Sequence, residues 1–257
     1  MKISVIVTTY NRPKLLKETL SSILNQTFKD FELIVVDNYS NYDFINLIKS
    51  LNDTRIKAYQ NKNNGIIAVN RNYGIKKSKG KFIAFCDDDD IWIKTKLQIQ
   101  YNQIKKNKSD IICSNISVFK NYTNNVLFKT NAKKPSSLYH LLWLNQVFTS
   151  TVLAKKSELL IFNEDPNLIT VEDYELWIKL MIRGYKFDFV NKSLIFYRKA
   201  PDGAYTNNYD KRNIILIYLY RSIQKMKLNK LTYFYLQILI INQFIRFLYQ
   251  KLKEIFK

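Results

Sequence analysis

The chain has 257 residues, 47% hydrophobic and 24% charged, with 5 glycines and 4 prolines. That balance excludes a disordered or low-complexity chain, and so few glycines and prolines argue against long flexible linkers. The formal net charge of +20 calls for an anionic membrane face, another polyanion, or a plain lysine bias, since Lys outnumbers Arg about four to one. No nucleic-acid-recognition module accompanies the charge, so nucleic acid is not expected as a partner. Cys86 and Cys113 both lie in apolar runs and read as reduced core thiols, with neither disulfide nor metal spacing.

The opening apolar run in "MKISVIVTTYNRP" is too short for a signal-peptide core and reads as a strand over 3–8. Pro13 suits a first helical turn, and Leu15, Leu16, Thr19, Leu20, Ile23 and Leu24 share one face of the helix that follows. A buried strand over 31–37 ends in Asp37; a helix over 43–51 and a strand over 55–60 come next. "NNGIIAVNRNYGIKKSKG" reads as a turn and a short helix, 81–86 as a strand, and 94–107 as a helix. Alternating strands and helices predict an α/β fold with a mostly parallel sheet, whose ligands sit at the carboxyl ends of the strands. Thr8–Asn11, Asp37 and Asp87–Asp90 all fall at such ends.

Strands are expected at 111–119, in "FTSTVLA", in "YKFDFV" and in "SLIFYR", with a short helix in "SSLYHLLWLN". A helix over 171–184 carries a Leu176, Trp177, Leu180, Met181 stripe and places Glu172 and Asp173 in its first turn. From about 208 the chain becomes helical, aromatic and flanked by lysine. The run over 231–249 is interrupted by Gln237, Asn242, Gln243 and Arg246, which disfavours a bilayer span. It fits an amphipathic helix on an anionic membrane, or a helix packed on the domain or on another subunit.

The run "CDDDDIW" sets four carboxylates side by side after an apolar strand. A helix cap needs one Asp or two, and a calcium loop needs a Gly turn and a terminal Glu that are missing here. A divalent cation that also holds a nucleotide diphosphate needs one or two carboxylates at a strand end. That reading accounts for the run, with the leftover carboxylate capping a helix from Ile91.

"SVIVTTYNRPKLLKETLSSILNQTFKDFELIVVDNYS", "NNGIIAVNRNYGIKKSKGKFIAFCDDDDIW" and "VEDYELWIKLMIRG" together resemble family 2 glycosyltransferases of the GT-A fold over about residues 2–198. The resemblance implies a Rossmann-like, mostly parallel central sheet flanked by helices: a nucleotide-binding half over 1–110, an acceptor half over 111–207, and C-terminal amphipathic helices over 208–257. It implies nucleotide contacts from Thr8, Thr9, Tyr10, Asn11, Arg12, Asp37, Arg71, Asp87 and Asp88. Thr8 and Tyr10 would frame the base, Asp37 would accept from base or ribose, and Arg71 would lie near the diphosphate. Asp89, with Asp87, would ligate Mn2+ or Mg2+, and Asp173 would be the catalytic base beside Glu172. Trp92 is a candidate for the acceptor cleft or for covering the core. The expected activity is inverting transfer of one sugar from a nucleotide-diphosphate donor, UDP-linked, to a lipid-linked or surface-glycan hydroxyl at the cytoplasmic face of the plasma membrane.

Where many relatives carry a metal-reaching histidine after "YR", this chain has Lys199-Ala200-Pro201-Asp202-Gly203, so Asp202 is the candidate substitute. The sole histidine, His140, reads as a packed helix residue. The Q-x-x-R-W signature of processive synthases is missing, which implies addition of single sugars. A nucleotidyltransferase would open with a Gly-rich phosphate loop, and "VTTYNRPKLL" has no glycine. A non-catalytic binding module would have no need of Asp89 and Asp173.

Overall fold

The computed structural model describes residues 1–120, 125–143, 145–199 and 209–255. Strands β1 (Ile3–Thr9), β2 (Phe31–Asp37), β3 (Ile56–Gln60) and β4 (Phe82–Asp87) lie parallel in the order β3-β2-β1-β4. Every residue of β1 and β2 is buried, which explains their unbroken Val/Ile runs: helices cover both faces. The crossovers are α1 (Pro13–Leu24), α2 (Phe44–Ser50) and α3 (Ile67–Lys77). Pro13 opens α1, whose Leu16, Thr19, Leu20 and Ile23 are buried, and Asp43 caps α2 through the Asn46 amide. A Cβ on Gly74 would stand 2.6 Å from Ile6 Cγ2, so glycine lets α3 sit directly on β1.

The second half adds β5 (Ile91–Trp92), α4 (Lys96–Asn107), β6 (Ile111–Phe119), β7 (Val126–Lys129), α5 (Leu138–Trp143), β8 (Leu153–Lys155), α6 (Glu172–Ile182) and β9 (Phe187–Arg198). The sheet continues β4-β8-β6-β9-β5, with β7 on β6. Strand β8 runs antiparallel to β4 and β6, while β6 and β9 are parallel, so this half is mixed. Three expectations need correction. No helix begins at Ile91; Ile91 and Trp92 pair with Phe196 and Ile195, and α4 starts at Lys96. "YKFDFV" and "SLIFYR" form one strand, because Asn191 and Lys192 bulge out between the pairs Ser114–Val190 and Asn115–Ser193. In "FTSTVLA" the hydroxyl triplet Thr149–Thr151 makes a 3-10 turn, and only then does β8 begin.

Helices α1, α2 and α4 cover one face of the sheet. The other face is covered by α3, α5, α6 and the C-terminal pair α7 (Tyr209–Gln224) and α8 (Lys230–Ile255). Leu219, Tyr220, Ile223, Leu236 and Leu239 from that pair belong to the same core as Trp177, so these helices dock on the sheet domain. Helix α8 is apolar on both sides. Thr232, Leu236, Leu239 and Gln243 are buried, whereas Leu231, Phe234, Ile238, Ile241, Ile245, Leu248 and Leu252 are exposed. Lys230–Tyr249 is long and apolar enough to cross a bilayer, with mean hydropathy 1.3.

Lys96 is fully buried in the core, its Nζ 2.8 Å from Gln100 Oε1 and 3.9 Å from the centre of the Trp92 ring. Burial without a carboxylate partner lowers its pKa from 10.5 to about 7. The unfolded chain therefore holds a proton that the folded chain releases, and stability rises with pH between these values. Relative to Lys96→Met, the wild type should gain about 1.4 kcal/mol per pH unit between pH 7 and 10 in denaturant titrations. Parallel stability curves for the two proteins would show instead that Lys96 keeps its proton in the folded chain.

Candidate active site

The carboxyl ends of β1, β2 and β4 meet at one edge, where Thr8 is level with Asp87 and Thr9 with Asp37. Tyr10 is exposed and Asn11 takes a left-handed φ of 54°, which turns the chain sharply into α1. This turn is laced to the loop after β2: the Asn11 amide donates to Ser40 Oγ at 2.8 Å, and the Asn41 amide donates to Asn11 Oδ1 at 2.8 Å.

The acidic run alternates. The side chains of Asp87 and Asp89 are 34% and 20% exposed, those of Asp88 and Asp90 sink inward, and Asp90 is fully buried. Asp88 accepts from Thr9 Oγ1 at 2.7 Å, and Arg12 Nη1 lies 3.1 Å from both Asp88 Oδ1 and Asp89 Oδ2. Asp90 Oδ1 accepts the Arg198 amide at 3.1 Å, so this carboxylate secures the end of β9 and does not cap a helix. Burial, with Asp87 and Asp88 alongside, pushes Asp89 up to about 6 against the pull of Arg12. The site is thus short of positive charge on its open side.

Arg71, buried on α3, joins two distant elements. Its Nη2 donates to Asp87 Oδ1 at 2.9 Å and its Nη1 to Glu172 Oε1 at 2.7 Å, while its guanidinium lies 5.2 Å from the Phe162 ring centre. Burial opposes this charge, but Asp87, Glu172 and Asp173 outweigh it and raise the Arg71 pKa. Asp173, next in α6, accepts from Thr149 Oγ1 at 2.6 Å, and the neighbouring Ser150 Oγ accepts the Asp87 amide at 3.0 Å. One hydroxyl of the 3-10 turn therefore holds the Asp173 carboxylate and the next holds the Asp87 backbone. Burial and the Glu172 charge push Asp173 up to about 6, with Arg71 and Thr149 opposing.

Thr8, Thr9, Tyr10, Asn11, Arg12, Arg71, Asp87, Asp88, Asp89, Glu172 and Asp173 thus converge on one edge, linked by the strand register and the bonds above. Asp37 is fully buried, and its carboxylate accepts from the Ser40 amide, the Ser40 hydroxyl and Gln60 Nε2, so it orders the loop after β2. Trp92 is 3% exposed and packs in the core beside Leu97, which excludes it from the acceptor cleft. His140 sits in α5, its Nδ1 3.2 Å from Ser136 Oγ. Asp202 lies outside the described residues. Thr149, Ser150 and Arg198 were not foreseen; the only signal was a hydroxyl triplet interrupting an apolar run. Among the described residues, no group of three or more His, Cys, Asp or Glu converges to hold a metal through protein ligands alone.

Residues 4–166 match the family model described as "Glycosyl transferase family 2". The chain is a member of that family. A glycosyltransferase of Methanocaldococcus jannaschii, itself uncharacterised, is 31% identical over 232 residues, covering 88% of this chain and 80% of its own. WfaP of Escherichia coli is 29% identical over 208 residues, covering 80% of this chain and 81% of its own; it is named a UDP-Glc:alpha-D-GlcNAc-diphosphoundecaprenol beta-1,3-glucosyltransferase. Among solved structures, S. aureus TarS 1–349 in complex with UDP-GlcNAc superposes with a TM-score of 0.76 at 20% identity, over 96% of this chain and 73% of that one. A Pyrobaculum calidifontis mannosyltransferase in complex with GDP-Man and Mn2+ superposes with a TM-score of 0.63 at 20% identity, over 89% of this chain and 66% of that one. These likenesses establish the GT-A fold, and family membership makes the protein a glycosyltransferase.

Proposed function

We propose that the protein moves one sugar from a UDP-sugar to a hydroxyl of a lipid-linked or surface-glycan acceptor, with inversion at the anomeric carbon. The observation that carries this is the Asp87–Arg71–Glu172 bridge, which brings Asp173 to the edge where the acidic run opens. The donor's base would lie by Tyr10 and the Thr8–Thr9 strand end, and Arg71 would steady the diphosphate side. Asp173, with a pKa near the working pH, takes the proton from the acceptor hydroxyl as that oxygen attacks. Glu172 is engaged by Arg71 and positions it.

The open carboxylates Asp87 and Asp89 are hard oxygen donors that suit Mn2+ or Mg2+, and Arg12 already sets a cation against Asp88 and Asp89. The half-exposed Arg12 can swing aside, so the residues fit the ion. When bound there by Asp89 and Asp87, the ion would neutralise the charge gathering on the departing diphosphate. A panel of sugar nucleotides assayed for nucleotide release in the presence of Mn2+ tests the reaction. Release from a UDP-sugar supports it, and silence across the panel counts against it.

Such an acceptor would call for an enzyme at the inner face of the plasma membrane, and α8 offers a means of holding it there. Its exposed apolar residues fall at alternating steps of three and four, from Leu231 to Leu252, as one seam. Lys225, Lys227 and Lys230 are exposed at its start and Arg246 along it, while the chain as a whole carries +20. That charge repels a second copy and suits an anionic bilayer, and the docked opposite face favours lying on the surface over crossing it. Flotation should show binding to vesicles containing phosphatidylglycerol and not to pure phosphatidylcholine. Phe234→Ser/Ile238→Ser/Ile241→Ser should lose that binding without loss of melting temperature. A stable dimer that the same substitutions dissociate would assign the seam to self-association instead.

A further inference from the structure

The face of the β6–β9 ladder that extends beyond the acidic edge carries an open cleft of about 830 Å³ between β7 and the bulge of β9. Ser117, Lys129, Asn131, Lys192, Ser193 and Phe196 line it, and among the described residues no carboxylate does. Strand register fixes its distance from the reaction site. Ile112 pairs with Leu153 and Leu153 with Ala84, so Asn115 is level with Asp87. Two strand spacings separate them, about 10 Å. The floor is continuous with the acidic run: Phe196 packs edge-on against Phe119 at 6.2 Å, the Arg198 guanidinium lies 4.6 Å from the Phe119 ring centre, and Arg198 Nε donates to Asp89 O at 3.0 Å.

The walls are built. Asn115, 3% exposed, accepts from Thr130 Oγ1 at 2.8 Å and the Ala132 amide at 2.7 Å, and its own amide donates to Asn191 Oδ1 at 3.2 Å. One buried side chain thereby ties the β7 segment to the β9 bulge. Ser117 is 4% exposed, lines the cleft, and its hydroxyl has no hydrogen-bond partner among the described residues. Lys129 and Lys192 form no ion pair among those residues. Unengaged hydroxyl, amide and ammonium groups around one aromatic ring match a polyhydroxylated ligand that carries negative charge.

We propose that this cleft binds the acceptor, and that the acceptor is an anionic glycan whose sugar or polyol units bear phosphodiesters or carboxylates. Ser117, Asn131 and Ser193 meet its hydroxyls, Lys129 and Lys192 meet its anionic groups, and Phe196 backs a sugar ring. The assignment rests on the transferase reading and deepens it. It also takes over the role that burial denies to Trp92.

Calorimetry in low salt with tetragalacturonate, a glycerol-phosphate tetramer and neutral maltotetraose tests the cleft, with UDP plus Mn2+ titrated alongside. At least one anionic tetramer should bind the wild type, and its affinity should fall about tenfold or more in Lys129→Ala/Lys192→Ala. Ser117→Val should weaken it too, with melting temperature and UDP affinity unchanged in every variant. No heat from either anionic tetramer, equal binding of maltotetraose, or wild-type affinity in the double variant overturns the proposal. A chain that binds UDP but neither anionic tetramer loses only this cleft, whereas one that fails to bind UDP loses the transferase reading itself.

Discussion

Asp173→Asn should bind UDP as the wild type does, yet transfer sugar about 10³-fold more slowly. The substitution keeps the shape and the Thr149 hydroxyl contact, since an amide oxygen still accepts, but it removes the group proposed to take the acceptor proton. The proposed nucleotide contacts lie at the β1 and β4 ends, which the change does not touch. The pH profile carries the same information. Asp173 must be ionised to act, and burial beside Glu172 holds its pKa at about 6, so the rate should fall as pH drops through that value. Nucleotide release assays across pH 5 to 8 would check both statements. Undiminished turnover in Asp173→Asn would move the base elsewhere in the site.

The second large effect concerns the acidic run. Asp89→Asn should lower transfer by about 10²-fold to 10³-fold, comparable to losing a preorganised charge stabiliser at a reacting oxygen. Asp88→Asn should cost far less in turnover. Its carboxylate faces inward to Thr9 and Arg12, so its loss is felt in the order of the β1–α1 turn. The contrast between two neighbouring aspartates follows from the turn after β4, which buries the Asp88 side chain and leaves that of Asp89 20% exposed. Single-turnover assays at saturating Mn2+ and donor separate the two variants, and equal losses would remove the distinction between the outward and the inward pair.

Much of this was legible in the residues. The parallel half could be read because its strands are uniformly apolar, its turns are marked, and each strand ends in a polar group that must point at the same edge. Carboxylates in "VED" and guanidinium in "NRNYG" could be named as partners in chemistry, although only the fold shows that Arg71 bridges the two acidic segments. What stayed hidden depended on register. Strand β5 is two residues long and exists because β9 is beside it, which also draws Trp92 inward. Strand β9 looked like two strands because its polar interruption is a bulge, and that bulge makes one wall of the proposed acceptor cleft. Asp37 carries the expected position, and hydrogen-bond partners three and 23 residues away tie it to the loop after β2 and to β3.

The fold also explains why a chain with +20 formal charge gathers four aspartates at one place. Two of them stabilise the scaffold, through Thr9, Arg12 and the end of β9, and two face the cleft. Burial and the charges of Asp87 and Asp88 raise the Asp89 pKa, and a cation at the open pair would relieve that repulsion. UDP titrated calorimetrically into wild type and Asp89→Asn, each with Mn2+ and with chelator, tests that claim most directly. The account predicts that Mn2+ tightens UDP binding by about tenfold or more in the wild type and leaves Asp89→Asn unchanged. UDP affinity indifferent to Mn2+ in the wild type, or a full metal effect in Asp89→Asn, would contradict it.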